Sequence, residues 1–125
     1  MKRLTLFKDK SGATALEFAL CEPAFFALIM GITELGLATW MQVTLQQGVE
    51  AAARCATVDK FNCASTSQIQ AWAVAQSAGL SVPVAAFTVT KAACGNQVQA
   101  SYQPTYLPSF PVPVPTLTAS ACFPA

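Results

Sequence analysis

Apolar residues are concentrated in a helix-length segment near the start of the chain. The segment from Phe18 to Leu37 has 20 residues, about 30 Å of α-helix, which equals the thickness of the hydrocarbon core of a bilayer. Glu22 and Glu34 each lie six residues from Leu28, about 9 Å from the midpoint and near the headgroup zones, where an acid costs less than at the centre. The pattern predicts one membrane-spanning helix, which Pro23 bends or loosens.

The helical spacing of apolar residues continues beyond this segment. The pattern extends to about Arg54, and Trp40 lies where the membrane interface is expected. We expect this outer half of the helix to pack on the domain that follows, with packing against a partner subunit as the alternative. Its apolar stripe consists of Met41, Leu45, Gly48, Val49, Ala52 and Ala56.

Small residues and two acids share one face of the membrane segment. Small residues let helices approach closely, so this face predicts association with a neighbouring helix in the membrane or in a helical polymer. The alternative is that small residues are simply common in this sequence. Glu22 faces the other way, and the shared face consists of Ala13, Glu17, Ala24, Ala27, Gly31, Glu34 and Ala38.

The remainder of the chain has the pattern of a small domain. A second helix is predicted from Ser67 to Ala78, because Ser65 and Gln68 can form a capping box at its start and Gly79 can end it. Alternating apolar and polar residues predict three strands, the first two joined by a turn at Gly95-Asn96. The strands are Val84 to Thr90, Gln97 to Gln103 and Thr116 to Phe123, and a Pro-rich extended crossover, 104–115, separates the last two.

The predicted fold class is therefore α+β, with a long N-terminal transmembrane helix, a short second helix and a small antiparallel sheet of about three strands. We expect a leader at 1–12, a transmembrane helix at 13–40, a helix extension at 41–56 and a small domain at 57–125.

Charge is scarce and unevenly distributed. Of the 125 residues, 54% are hydrophobic and 10% charged, less than half the usual charged fraction of a soluble protein. After Lys60 only Lys91 is charged, so we expect no basic patch and no nucleic-acid partner. The positive-inside rule places the N-terminus in the cytoplasm and the domain across the membrane, because four basic residues precede the apolar segment: Lys2, Arg3, Lys8 and Lys10.

The residues needed for catalysis or metal binding are missing from the sequence. There is no histidine, which argues against a metal centre and against a Cys–His nucleophile. No glycine-rich phosphate loop or serine-nucleophile motif is present. We therefore expect no enzyme activity, no cofactor and no metal.

Four of the five cysteines follow the apolar segment, as expected for a domain in an oxidising compartment. Four cysteines allow three pairings. We favour Cys55 with Cys63, which closes a short loop, and Cys94 with Cys122, which ties two strand ends. Free buried thiols are the alternative.

The junction between leader and helix carries a recognisable motif. Gly12 is followed by Ala-Thr-Ala-Leu-Glu-Phe-Ala-Leu at 13–20, and Gly-Ile-Thr-Glu-Leu-Gly lies at 31–36. With Ala-Ala-Ala-Arg at 51–54 and Leu-Thr-Ala-Ser-Ala-Cys at 117–122, the chain resembles the TadE-like family, minor pilins or pseudopilins of the bacterial tight-adherence (Tad, or Flp) pilus apparatus.

The resemblance implies cleavage after Gly12 by a prepilin peptidase, leaving Ala13 as the new N-terminus. It also implies that Glu17, the fifth mature residue, meets the α-amino group of a neighbouring subunit, since pairing offsets the desolvation of two charges. The remaining implied partners are other pilin or pseudopilin subunits, the assembly platform and the inner membrane. The competing explanation for Glu17 is a capping box with Thr14 at an ordinary helix start.

Two other functions fit parts of the sequence. The first is an uncleaved scaffold of the assembly machinery, for which the helix is a permanent membrane anchor. The second is a small secreted disulfide protein with an ordinary signal peptide cut near 51–53, although Glu22 and Glu34 interrupt the hydrophobic region that such a peptide needs.

Overall fold

One long helix and a three-stranded sheet account for most of the regular structure. The computed structural model describes residues 11–77, 79–105 and 115–124, and of Ser11 and Ala13 the backbone alone. The elements are α1 (Ser11–Val58), α2 (Thr66–Gln76), a 3-10 turn (Val84–Ala86), β1 (Phe87–Ala92), β2 (Gly95–Tyr102) and β3 (Leu117–Phe123). The sheet is antiparallel in the order β1-β2-β3, so the α+β prediction is confirmed. The leader before Ser11 and most of the Pro-rich crossover lie outside the described residues.

By its internal contacts the chain divides into two units, Met1–Gly36 and Leu37–Ala125, and α1 contributes to both. In the second unit the outer half of α1 supplies one wall of the hydrophobic core, with Leu45 and Val49 fully buried. Burial of each such side chain contributes about 1.5–3 kcal/mol. The stripe expected from the sequence is the buried face: it packs with Ile69 and Ala73 of α2 and with Phe87, Val98, Ala100, Leu117 and Ala119 of the sheet.

Glutamines connect the two helices to both edges of the sheet. On β3, Gln42 Nε2 donates to the carbonyl of Thr118 at 2.7 Å and Gln46 Nε2 to that of Ser120 at 3.3 Å. On β1, Gln70 Nε2 donates to the carbonyl of Phe87 at 2.6 Å. These amides fix the sheet against the helices and occupy edge carbonyls that would otherwise be open.

The capping box at the start of α2 is confirmed. The Ser65 side chain accepts from the backbone N–H of Gln68, and the Gln68 side chain accepts from the backbone N–H of Ser65. The helix ends at Gln76, two residues before the predicted end, because Ser77 leaves the helical conformation and its hydroxyl and N–H both donate to the carbonyl of Ala73. Gly79 follows with φ +85°.

The hairpin turn was predicted two residues too late. It consists of Ala93 and Cys94, because Ala92 pairs with Gly95, and the Gly95-Asn96 pair belongs to β2. The core side chains fix this register: Phe87 lies opposite Ala100 on the buried face. Strand β1 also starts three residues later than expected, because residues 84–86 form the 3-10 turn.

Two disulfides close the second unit, and they are the two pairs that the sequence favoured. Cys55 and Cys63 are 5.8 Å apart at Cα and link the end of α1 to the following loop. Cys94, in the hairpin turn, is bonded to Cys122 in β3, with Cα atoms 6.2 Å apart. The second bond therefore ties the turn of the β1–β2 hairpin to the neighbouring strand.

The loop closed by the first disulfide is held by a carboxylate. Helix α1 runs four residues past the predicted end, to Val58. Asp59 Oδ1 then accepts from the backbone N–H groups of Asn62 and Phe61, and Oδ2 accepts from the Asn62 side chain. These hydrogen bonds lower the pKa of Asp59 below its ordinary value, and those from Asn62 have the largest effect. The ionised carboxylate that orders the loop is thus the favoured form at neutral pH.

Gly48 brings α1 and α2 together. A Cβ at this position would lie 2.9 Å from the carbonyl oxygen of Ala73 and closer still to the hydroxyl of Ser77. The Ser77 hydroxyl is buried and donates a hydrogen bond to the carbonyl oxygen of Ala73. The helices can therefore cross this closely only where α1 has no side chain.

Gly48→Ala should destabilise the protein by about 1–3 kcal/mol, the usual cost of overpacking a core. Thermal unfolding in detergent micelles measures the change. Gly36→Ala is the matched control, because nothing lies within 4 Å of its added Cβ and alanine favours the helix. A Gly48→Ala variant as stable as the control would contradict the close packing of the two helices.

Candidate assembly helix

The first half of α1 leaves its apolar side chains uncovered. Every described side chain from Thr14 to Met30 is exposed, with Phe18 at 72%. Residues 31–40 are exposed or half-buried. Large apolar side chains do not stay in water at this density. A bilayer or neighbouring helices must therefore cover this segment.

Length and composition agree with a membrane span. Among the described residues, Thr14–Val58 is the one helix long and apolar enough to cross a bilayer. The helix continues through Pro23. Proline has no backbone N–H, so the carbonyl of Ala19, four residues earlier, does not receive the usual helical hydrogen bond. The rings of Phe25 and Phe26 meet edge to face, with centroids 5.9 Å apart, next to the exposed free thiol of Cys21.

Trp40 marks the end of the exposed segment. It was expected at the membrane interface, and it is 48% exposed. A Cβ on Gly79 would lie only 3.0 Å from the Trp40 ring, a contact that sequence reasoning missed. The positive φ of Gly79 and this contact both require glycine there.

The residues predicted to act in processing and assembly all lie on α1. Gly12 is exposed, and a Cβ there would meet nothing within 4 Å. Ala13 and Glu17 follow one helical turn apart, and the Glu17 side chain is exposed. Glu34 is half-buried and lies about 25 Å further along the axis, so one chain does not bring the two carboxylates together.

The competing capping-box explanation for Glu17 is wrong for the uncleaved chain. An N-cap residue has non-helical backbone angles, whereas α1 already includes Ser11 and passes through Thr14. Thr14 is therefore inside the helix and cannot be its first cap. This leaves the Glu17 carboxylate without a helix-start role in the precursor.

Comparison with known families adds an independent observation to this geometry. The family model described as TadE-like protein matches residues 12–54. This part of the chain is TadE-like. The match covers 43 of the 125 residues and confirms the resemblance drawn from the motif.

The TadE-like segment coincides with α1 almost from its start to Arg54, and it contains Gly12, Glu17 and Glu34. The sheet and α2 lie beyond it, so the resemblance noted at 117–122 stays a prediction. No curated protein and no solved structure was found to match the chain. The family match, which falls on the helix, indicates a pilus-related role.

Leu28→Arg should remove the protein from the membrane fraction of producing cells. Arginine at the centre of a spanning helix costs about 2.5–3.5 kcal/mol on insertion scales. Carbonate extraction followed by immunoblotting measures the distribution. Gln47→Arg, at an exposed position on the outer half of α1, should stay in the membrane fraction. Equal retention of both variants would show that the TadE-like helix is not a membrane span.

Proposed function

We propose that the protein is a TadE-like minor pilin or pseudopilin that takes part in assembly of a tight-adherence, type IVb-like pilus. The observation that supports this most directly is that the TadE-like match falls on a helix whose apolar side chains the chain itself leaves uncovered. The role is structural. It consists of helix packing in the fibre or at its base, in a pilus that serves adhesion and biofilm formation.

The precursor is a single-pass inner-membrane protein, with the leader in the cytoplasm and the domain in the periplasm. The basic residues ahead of the helix support this orientation. The two disulfides of the second unit agree with an oxidising compartment on the far side. The partners are a prepilin peptidase, other pilin or pseudopilin subunits and the assembly platform.

Processing takes place between Gly12 and Ala13. The exposure of Gly12 and the open space around its Cα support access by a peptidase. Cleavage removes the basic leader, leaves the apolar helix inserted and creates an α-amino group on Ala13.

Mass spectrometry should find Ala13 at the N-terminus of protein made together with a prepilin peptidase. The same chain made without the peptidase, or carrying Gly12→Val, should keep its leader, because a branched side chain would occupy the place where glycine presents none. Intact Met1 in protein from assembled pili would rule out the processing step.

The assembly contact joins two subunits through Glu17. Its carboxylate meets the new α-amino group of a neighbouring subunit, and the small-residue face that also carries Glu34 packs on the neighbouring helix. The exposure of Glu17 in the isolated chain supports an intermolecular partner. A charge pair excluded from water offsets the desolvation of both groups, whereas either charge alone would be costly.

Glu17→Ala should permit membrane insertion but strongly reduce recovery of the protein in sheared pili. Glu22→Ala is the matched control, because Glu22 lies on the same exposed segment but faces away from the small-residue side. Fractionation and shearing of the same cultures measure both steps. Equal recovery of the two variants would argue against the contact, and a wild-type protein that never leaves the membrane on shearing would favour the permanent scaffold instead.

A further inference from the structure

The two edge strands of the sheet are covered at different backbone groups. On β3, amides of α1 occupy the carbonyls of Thr118 and Ser120. On β1, Phe87 alone is occupied: its N–H donates to the carbonyl of Val84, and its carbonyl accepts from Gln70.

The rest of the β1 edge is open. Ala92 and Gly95 flank a two-residue turn and therefore form a hydrogen-bonded pair of the ladder. Hydrogen-bonded pairs alternate along an antiparallel ladder, so the N–H and C=O groups of Val89 and Lys91 point away from β2. Among the described residues these four groups have no hydrogen-bond partner. The edge of β1 can therefore pair with another strand at two residues, Val89 and Lys91.

A groove lies beside this free edge. Its volume is about 420 Å³, and one side is the strand from Val89 to Ala92. The other side is mixed: Ala56, Ala64, the Cys63 half of the first disulfide and Ile69 lie there together with Lys60 and Thr66. Asn96 holds the hairpin across from the end of α1, since its side-chain amide donates to the carbonyl of Ala56 at 3.4 Å and to the hydroxyl of Thr57 at 3.3 Å.

The groove is positively charged. Lys60 and Lys91 line it, and none of its lining residues is acidic. Both lysines are exposed, and no ion pair involves either of them within the described part of the chain.

We propose that this groove, the β1 groove, binds an extended acidic peptide segment of a partner protein as a fourth strand of the sheet. The free groups of Val89 and Lys91 supply main-chain bonds, as in other cases of strand addition. The alanines of the opposite wall, Ala56 and Ala64, contact alternate side chains of the peptide, and the two lysines select carboxylates.

A second copy of the chain does not provide such a segment among the described residues. Four of its acids lie on α1, and Asp59 is engaged in its own loop. The partner is therefore another protein. The proposal is independent of leader cleavage and of the Glu17 contact.

Fluorescence anisotropy with two rhodamine-labelled synthetic peptides tests the proposal. The probes are Glu-Val-Thr-Val-Glu-amide and its counterpart with lysine at both ends, each carrying rhodamine on its N-terminal amine, added to the full chain in a non-ionic detergent with its disulfides intact. The acidic peptide should bind more tightly than the basic one. Lys60→Gln and Lys91→Gln should each weaken it by up to about fivefold, the usual limit for an exposed ion pair.

A matched pair of proline variants tests strand addition itself. Val89→Pro removes an outward-pointing N–H without breaking the ladder and should abolish binding. Thr118→Pro does the same on β3 and should leave binding unchanged. Hydrogen exchange on the wild-type chain should show new protection of the Val89 and Lys91 amides with the acidic peptide, a result that does not depend on the folding of any variant.

Several results would overturn the proposal. These are equal binding of the two peptides, no binding of either, or acidic-peptide binding without protection at Val89 and Lys91. Loss of self-association in Val89→Pro would assign the groove to a second copy instead.

Discussion

The buried stripe of α1 is the contact on which the second unit depends. The sheet presents one apolar face, and α2 is only 11 residues long, so neither could bury its apolar side chains without a large partner surface. Met41, Leu45 and Val49 supply that surface from one helix. Gly48 then lets α2 approach the backbone of α1. Removing this half of the helix would expose the whole core at once.

The same helix therefore serves two environments. Downstream of Leu37 its apolar residues are concentrated on one face and covered by the chain; upstream they occur all round and are left open. A helix that is apolar on all faces needs a bilayer or other helices around it. An amphipathic helix needs a domain that covers its one apolar face. The TadE-like match spans both halves.

Local sequence patterns predicted most of the elements, because their determinants are local. Periodicity marked α1, the Ser65–Gln68 capping box marked α2, and alternation marked the three strands. The hairpin turn was misplaced because Gly95-Asn96 is favourable turn chemistry, yet the pairing of Phe87 with Ala100 and the position of Cys94 fix the register. Tertiary packing outweighed turn propensity there.

The residues that sequence reasoning missed act at a distance along the chain. Gln42 and Gln46 donate to carbonyls 76 and 74 residues away. Their spacing of four on one helix face is the only local signal for these contacts. The proposed processing site and Glu17 were predicted because Gly12, Ala13 and Glu17 belong to one contiguous motif. These residues lie on one helix, and their proposed partners belong to other proteins. The prediction therefore did not require the fold of the domain.

Edge protection connects these missed residues with the open groove. A three-stranded sheet has two edges, and an unprotected edge invites association with other strands. Helix α1 covers two carbonyls of β3, because two of its glutamines lie one turn apart and reach alternate carbonyls of the strand. Among the described residues, the side chains of α2 make one hydrogen bond to β1, from Gln70 to Phe87. Beyond Phe87 the end of α1 and the loop that follows it lie across from β1. Within the described residues they make no hydrogen bond to the outward groups of Val89 and Lys91, and the Lys91 side chain has no ion-pair partner. The two edges thus differ in which groups are covered, because α1 directs two glutamines at β3 and α2 directs one at β1.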